Sequence, residues 1–242
     1  MANMRDQDQA NVIHWSYLLR GNTRCRRINA IRSHICQYLI IIHSNETLKG
    51  VISLCGTQII KGDLQIKLPN YHSQIKVGIS ESNPYHLEQA KHCQNYVHLA
   101  IDLIERTPTP TSIASVSNHL ANILKLVKQA QLAFNVLSEA KSFPYRVCQP
   151  RHFSPPLPED LVVEISIDRI HILCNVFGLE LHPIQRSDKY LPYKDKYALV
   201  LDECRVRTQS PILTDVETSL TKVSDICSEF QLKLTQISAL ID

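Results

Sequence analysis

Eleven histidines and eight cysteines are the side chains of this 242-residue chain best equipped for chemistry, and the first question they raise is zinc. Structural zinc sites use paired ligands, characteristically two cysteines roughly two to four residues apart. Here C-x-x-C is absent, and so is H-E-x-x-H. His171-x-x-Cys174 and His92-Cys93 bring the two residue types together, but neither has a second cysteine pair at ligand spacing. All eight cysteines are therefore read as reduced and metal-free, with Cys93, Cys174 and Cys227 as small core residues and most histidines solvated.

Nucleophilic and nucleotide chemistry fare no better. No G-x-S-x-G occurs. The neighbouring carboxylates Glu159-Asp160 and Asp202-Glu203 fall on opposite faces if extended, which separates them as an acid/base pair. Gly21, Gly50, Gly56, Gly62, Gly78 and Gly178 are the only glycines, and none are spaced as G-x-G-x-x-G or as a P-loop. The chain is read as not an enzyme: no catalytic, cofactor-binding or metal-ligating residue is assigned, no cofactor is expected, and the partner-binding residues are left unassigned. A net charge of +3, from 26 Lys+Arg against 23 Asp+Glu, is too small to predict nucleic acid as a partner. The basic run Arg20, Arg24, Arg26, Arg27 and Arg32 would suit an anionic patch, but no aromatic is interleaved for base stacking, so a solvated helix face is preferred.

The elements that would position such residues are legible from proline and apolar spacing. No proline precedes Pro69, separates Pro110 from Pro144 or follows Pro211, leaving room for helices. In the last stretch Leu213, Val216, Leu220, Val223, Cys227, Phe230, Leu234, Ile237 and Ile241 recur at steps of three and four, a heptad seam with Thr214 and Glu217 as its capping box. Ile113, Val116, Leu120, Ile123, Val127, Ala130, Phe134 and Leu137 repeat the pattern, with Ser112 or Thr111 as cap. Leu87, Ala90, Val97, Ile101 and Ile104 form a shorter stripe closed by Thr107-Pro-Thr-Pro110, so these two helices are expected as an antiparallel hairpin. Ile28, Ile31, Ile35, Tyr38 and Ile42 give a further seam, preceded by Val12, Trp15, Leu18 and Leu19. Amphipathic stripes of this kind bury only against one another, as in a bundle.

Elsewhere the period is two. Val51, Ser53 and Cys55 alternate with Ile52 and Leu54, Leu64, Ile66 and Leu68 with Gln65 and Lys67, and Ile75, Val77 and Ile79 with Lys76 and Gly78. Gly56 and Gly62 mark turns or bulges. Residues 161–167, 170–181 and 198–201 form a second strand block, and pairing both blocks into one sheet is the economical solution. The expected fold is α+β, an elongated two-domain protein: an antiparallel helical bundle with heptad seams from residues 1–45, 84–143 and 205–242, and a mainly antiparallel β-sheet domain from 46–83 and 144–204, both discontinuous. The N-terminus lacks an apolar signal-peptide core, and the longest apolar run, Tyr38-Leu-Ile-Ile-Ile42, is far short of the roughly 20 residues of a transmembrane helix. A cytoplasmic chain with at most peripheral membrane association is expected.

Two blocks go beyond generic patterning. Leu48-Lys49-Gly50-Val51-Ile52-Ser53-Leu54-Cys55-Gly56, continuing through Asp63-Leu64-Gln65-Ile66-Lys67-Leu68-Pro69, resembles the strand block of the Rogdi family. Phe153-Ser-Pro155-Pro-Leu157-Pro158-Glu-Asp160-Leu161 resembles that family's F-x-P-x-L-P-x-D-L signature. The resemblance implies a non-enzymatic adaptor with a leucine-zipper-like helical domain joined to a sheet domain. It also implies a subunit of the RAVE complex, which promotes reassembly of the vacuolar proton-pumping V-type ATPase. The implied partners are the large RAVE scaffold subunit and, through it, the cytosolic V-ATPase sector, with peripheral recruitment to vacuolar or endosomal membranes. The alternative is a cytosolic coiled-coil protein for dimerisation or vesicle tethering. Phe153 and Leu157, the apolar members of the Pro-stiffened signature, are expected to pack where the two domains join.

Overall fold

The computed structural model describes residues 38–44, 46–71, 74–108, 112–135, 137, 139–146, 149–185 and 187–241. In chain order it comprises β1 (Tyr38–Ser44), β2 (Leu48–Cys55), β3 (Gln58–Ile66), β4 (Ile75–Ile79), β5 (Tyr85–His86), α1 (Glu88–Arg106), α2 (Ile113–Leu132), β6 (Leu161–Asp168), β7 (His171–His182), β8 (Leu191–Tyr193), β9 (Lys196–Gln209) and α3 (Pro211–Ile241). The chain is α+β, with two antiparallel sheets. Among the described residues it divides into two compact units, a helical one within 91–133 and 215–241 and a sheet one within 38–90 and 134–214.

In the sheet unit, the first sheet runs β1-β2-β3-β4 with β5 also on β3, and the second runs β6-β7-β9-β8. The expectation of a single sheet is thus corrected. The reason lies at the strand edges, where loops and side chains take the place of a joining strand. The outer edge of β6 presents the backbone of Ile165 and Ile167. Ile165 N donates to Tyr85 Oη at 3.0 Å, and Ile167 N donates to Gln89 Oε1 at 2.7 Å. Gln89 Nε2 returns a bond to Ile167 O at 2.6 Å and another to Asn135 O at 2.5 Å. One side-chain amide thereby imitates the peptide of a neighbouring strand. On the first sheet, Gly78 and Ser154 exchange both backbone bonds at 2.8 Å, so β4 is met by a loop residue. On the opposite side β1 comes against β9, where Ser44 hydrogen-bonds the Cys204 sulfur.

Residues 38–42 are also a correction: they form a strand, not the end of a helix. Steps of three and four can be drawn through any dense apolar run, and three successive isoleucines favour the pleated backbone. Period two then governs burial, with Ile40 and Ile42 at 2% and 1% exposure against 70% and 63% for Leu39 and Ile41. Ile28, Ile31 and Ile35 lie outside the described residues. In β3 the bulge places Ile60 between Lys61, paired with Ser53, and Ile59, paired with Leu54. Gly56 supplies the positive φ of 59° in the β2–β3 turn, while Gly62 sits inside β3. Gly50 has a separate necessity, since a Cβ there would stand 2.2 Å from Asp63 O.

The helical unit buries Cys93, Val97, Ala100 and Ile101 of α1 and Val116, Leu120, Ile123, Leu124, Val127 and Ala130 of α2. On α3 it buries Leu220 and Cys227. Gln131 Nε2 donates to Thr221 Oγ1 at 3.3 Å, tying the end of α2 to α3. Ser112 caps α2 in a reciprocal box with Ser115. The capping box expected at Thr214 does not form. The helix starts earlier, with Pro211 as its first residue, and Thr214 N and Oγ1 both donate to Ser210 O at 3.0 Å.

A polar row crosses the second sheet, where Glu164 of β6 opposes Asn175 of β7 and Asn175 opposes Arg205 of β9. Glu164 is buried, and that burial raises its pKa, against the lowering effects of Asn175, the Phe143 N–H, Arg146 and Arg205. A proton therefore binds the folded state more tightly than the unfolded one. The stability this gives is complete below about 4.5, the ordinary value, and is lost as pH rises through the elevated folded value. Glu164→Gln keeps an acceptor for Phe143 and removes the buried charge, so denaturation of variant and parent should coincide in acid and diverge in the variant's favour toward neutral pH. For the β6 edge, Gln89→Leu leaves buried backbone groups of Ile167 unpaired and should cost about 2–4 kcal/mol by urea denaturation.

Candidate functional site

The signature segment is built to connect. Pro150–His152 makes one 3-10 turn, closed by Phe153 N donating to Pro150 O at 3.1 Å. Phe153, 2% exposed, then enters the sheet unit with its ring 6.1 Å from that of Tyr85. Its partners there, Tyr85 and the Ser154–Gly78 bridge, belong to the sheet unit. Pro155, Pro156 and Pro158 carry no N–H, so this extended stretch has few donors to satisfy. Leu157 is buried, Leu161 N donates to Pro158 O at 3.2 Å, and β6 begins.

Beside the end of this segment lies a cleft of about 470 Å³, lined by Asn70, Tyr71, Glu159, Asp160 and residues of β7 and β9. The β7–β9 bulge leaves Leu201 as its extra residue and brings it to the cleft wall. Tyr71 Oη donates to Asp160 Oδ1 at 2.7 Å, and the Asp160 carbonyl accepts from Leu179 N at 2.8 Å. Burial, then the bond to Asp160, raises the Tyr71 phenol pKa. Asp202 accepts from both Asn70 N and Asn70 Nδ2 at 2.8 Å. On the rim, Glu159 pairs with Lys196 at 2.9 Å and Glu180 with His182 at 2.6 Å, the His182 ring edge meeting Tyr190. Lys196 lowers the Glu159 pKa and Glu159 raises that of Lys196. These carboxylates are held by their neighbours, in a geometry that fastens the loop after β3 to the second sheet.

The candidate pairs from the sequence are drawn apart. His171 and Cys174 are three residues apart on β7 and so face opposite sides. Burial, and secondly Cys204, pushes the Cys174 thiol up to about 12. Cys93 is buried in α1, its thiol raised to about 12 by burial and then by Glu217, while His92 is exposed. Asp202 turns inward to Asn70, whereas Glu203 is exposed and pairs with Arg205 at 2.9 Å. Among the described residues, no three His, Cys, Asp or Glu side chains form a metal-holding group, and Cys55, Cys93, Cys174, Cys204 and Cys227 are free thiols. Cys25, Cys36, Cys148 and the run from Arg20 to Arg32 lie outside the described residues. No described helix is long and apolar enough to cross a membrane.

The family model described as Rogdi leucine zipper containing protein matches residues 25–203, which include every strand through most of β9 and the whole signature. The chain belongs to the Rogdi family. Among curated proteins it is similar to the protein rogdi homolog of Homo sapiens, 26% identical over 148 residues, and to that of Rattus norvegicus, 24% identical over the same length. Each match covers 58% of this chain, and the chain spans about half the length of these relatives. The Rogdi family model ends before α3. Its description names a structural feature, a leucine zipper, and no reaction.

The residues that sequence reasoning missed are Gln89, Asn70 and Tyr71. Gln89 is the second residue of an amphipathic helix, where a polar side chain normally meets water. Asn70 and Tyr71 follow Pro69 and read as turn residues. Asp160 was within the signature, but its partner is 89 positions away. Truncating Phe153 to Ala should cost about 3 to 5 kcal/mol, seen as a lower melting temperature, and partner binding should fall only in proportion to folded protein. Unchanged melting with lost binding would make the segment an interface instead.

Proposed function

We propose that this chain is a non-enzymatic adaptor of the RAVE type. It binds the large scaffold subunit and, through it, the cytosolic sector of the vacuolar proton-pumping ATPase, and so promotes reassembly of the pump. It acts from the cytoplasm and is recruited peripherally to vacuolar or endosomal membranes, without cofactor or nucleic acid. The observation that carries this reading is the Rogdi family match across residues 25–203. The cleft adds support, because its carboxylates are engaged in joining structural elements. As the frame for this role we assign α1, α2 and α3 to an antiparallel bundle with heptad seams, and the strands to a separate domain beginning at β1 rather than after residue 45.

Cells lacking the protein should have poorly acidified vacuoles, with the ATPase sectors apart. Affinity purification should recover the scaffold subunit, identified by mass spectrometry. Normal acidification and sector assembly in the deletion strain would refute the role.

A coiled-coil dimer or vesicle tether is the second reading, favoured by the exposed apolar residues of late α3, Leu232, Ile237 and Leu240. Leu220→Asp combined with Leu234→Asp decides between them. A folded monomer produced from a dimer in light scattering supports the second reading, and general unfolding supports the internal bundle.

A further inference from the structure

Four Ser/Thr-Pro dipeptides occur in the chain: Thr107-Pro108, Thr109-Pro110, Ser154-Pro155 and Ser210-Pro211. The fold treats them unequally. Ser210 is fully buried and its carbonyl accepts the first bond of α3. Ser154 gives its backbone N–H and carbonyl to Gly78. Thr109 lies outside the described residues. Thr107, half-buried, stands immediately after Arg106, the last residue of α1, in the connection to α2.

Pro108 explains why the helix stops there. A proline lacks an N–H and disfavours helical backbone in the residue before it. The Thr107 hydroxyl nevertheless turns back, donating to Leu103 O at 2.6 Å alongside the longer 3.3 Å bond from Thr107 N. It thereby adds a second, shorter bond to a carbonyl whose helical partner, Thr107 N, is at the long end of the range. The only base in that turn is Arg106, which pairs with Asp102 at 3.5 Å.

We infer that Thr107 is a phosphorylation site for a proline-directed protein kinase, and that phosphate there opens the last turn of α1. The reaction moves the γ-phosphoryl group of ATP to Thr107 Oγ1. A P–O bond forms to the threonine, the bond to the bridging oxygen of ADP breaks, and the hydroxyl proton passes to the kinase's base. Two physical changes follow. The hydroxyl donor to Leu103 O disappears, leaving only the longer bond from Thr107 N, and about 1.5 to 2 negative charges arrive at the carbonyl end of a helix, where the dipole already concentrates negative potential. Arg106, adjacent in sequence, is the cation on hand to meet the phosphate, and turning toward it gives up Asp102. The modified end of α1 is thus longer in its loop and more acidic, in the same hairpin that contributes the buried faces of α1 and α2.

The test uses the full chain with a kinase of the mitogen-activated class and Mg-ATP, followed by phosphopeptide mapping. Phosphate is expected on Thr107 in the parent and in Thr109→Ala, and absent from that peptide in Thr107→Ala carrying Thr109→Ala. No phosphate on Thr107, with label only on Thr109, Ser154 or Ser210, overturns the assignment. Hydrogen exchange reads the second part: amides of residues 103–107 should exchange about three- to tenfold faster after phosphorylation, in line with one lost hydrogen bond plus repulsion. Thr107→Val, which deletes the hydroxyl without adding charge, should show a smaller increase. Unchanged exchange in the phosphorylated chain rejects the opening of the turn.

Discussion

The sheet unit depends on closing an edge that has no neighbouring strand. Along β6 the outward backbone groups of Ile165 and Ile167 lie buried, away from water, and each unmade bond there carries a desolvation cost of about 1 to 3 kcal/mol. Tyr85 of β5 and Gln89 in the first turn of α1 meet them with side chains. Everything downstream uses this closure. It ends the second sheet at β6, sets the first turn of α1 inside the sheet unit, and through the second bond of Gln89 Nε2 draws in Asn135, where the chain returns from α2.

A second fastening works on the same logic at the other end of the unit. Asp202 and Asp160 take hydrogen bonds from Asn70 and Tyr71, so a loop of the first sheet is locked to strands and turns of the second. Gly178 sits against Leu68 and Tyr71, and a Cβ added there would stand 3.0 Å from Leu68 Cδ1, so a larger residue requires the Leu68 side chain to shift. The Pro-rich signature runs between the two fastenings, from Phe153 beside Tyr85 to Asp160 beside Tyr71. Its residue types make sense together in this setting: apolar anchors at Phe153 and Leu157, prolines without donors, and an acceptor at Asp160.

Local chemistry in this chain was readable wherever neighbours in sequence decide the outcome. Alternation marked β2 through β4, Thr107-Pro108 marked the end of α1, and Ser112 marked the start of α2. Reading failed where partners are distant or patterns overlap. Tyr38 to Ile42 satisfy both helical and strand spacing, and only pairing with β2 decides. Ser210-Pro211 outcompeted Thr214-Glu217 as a helix start because a proline at the first position needs no donor. The separation into two sheets rests on Gln89, Tyr85, Ser154 and Gly78, none of which announces its role locally. As for the candidate site, Asp160 stood within the resemblance to the Rogdi signature, whereas Asn70 and Tyr71 gave no signal.

The way the two units interleave bears on the order in which the chain is assembled. Gln89 meets Ile167 across 78 positions and Asn70 meets Asp202 across 132, so the sheet unit cannot be fastened until β9 has been made. The strands β1 to β4, by contrast, pair each with its neighbour in sequence and need only short connections to close. Contacts between distant residues require the larger loss of chain entropy before they return any energy, and they form late. During synthesis β1 to β4 are therefore the first piece able to organise, while their fastening to the second sheet waits for strands encoded beyond α1 and α2.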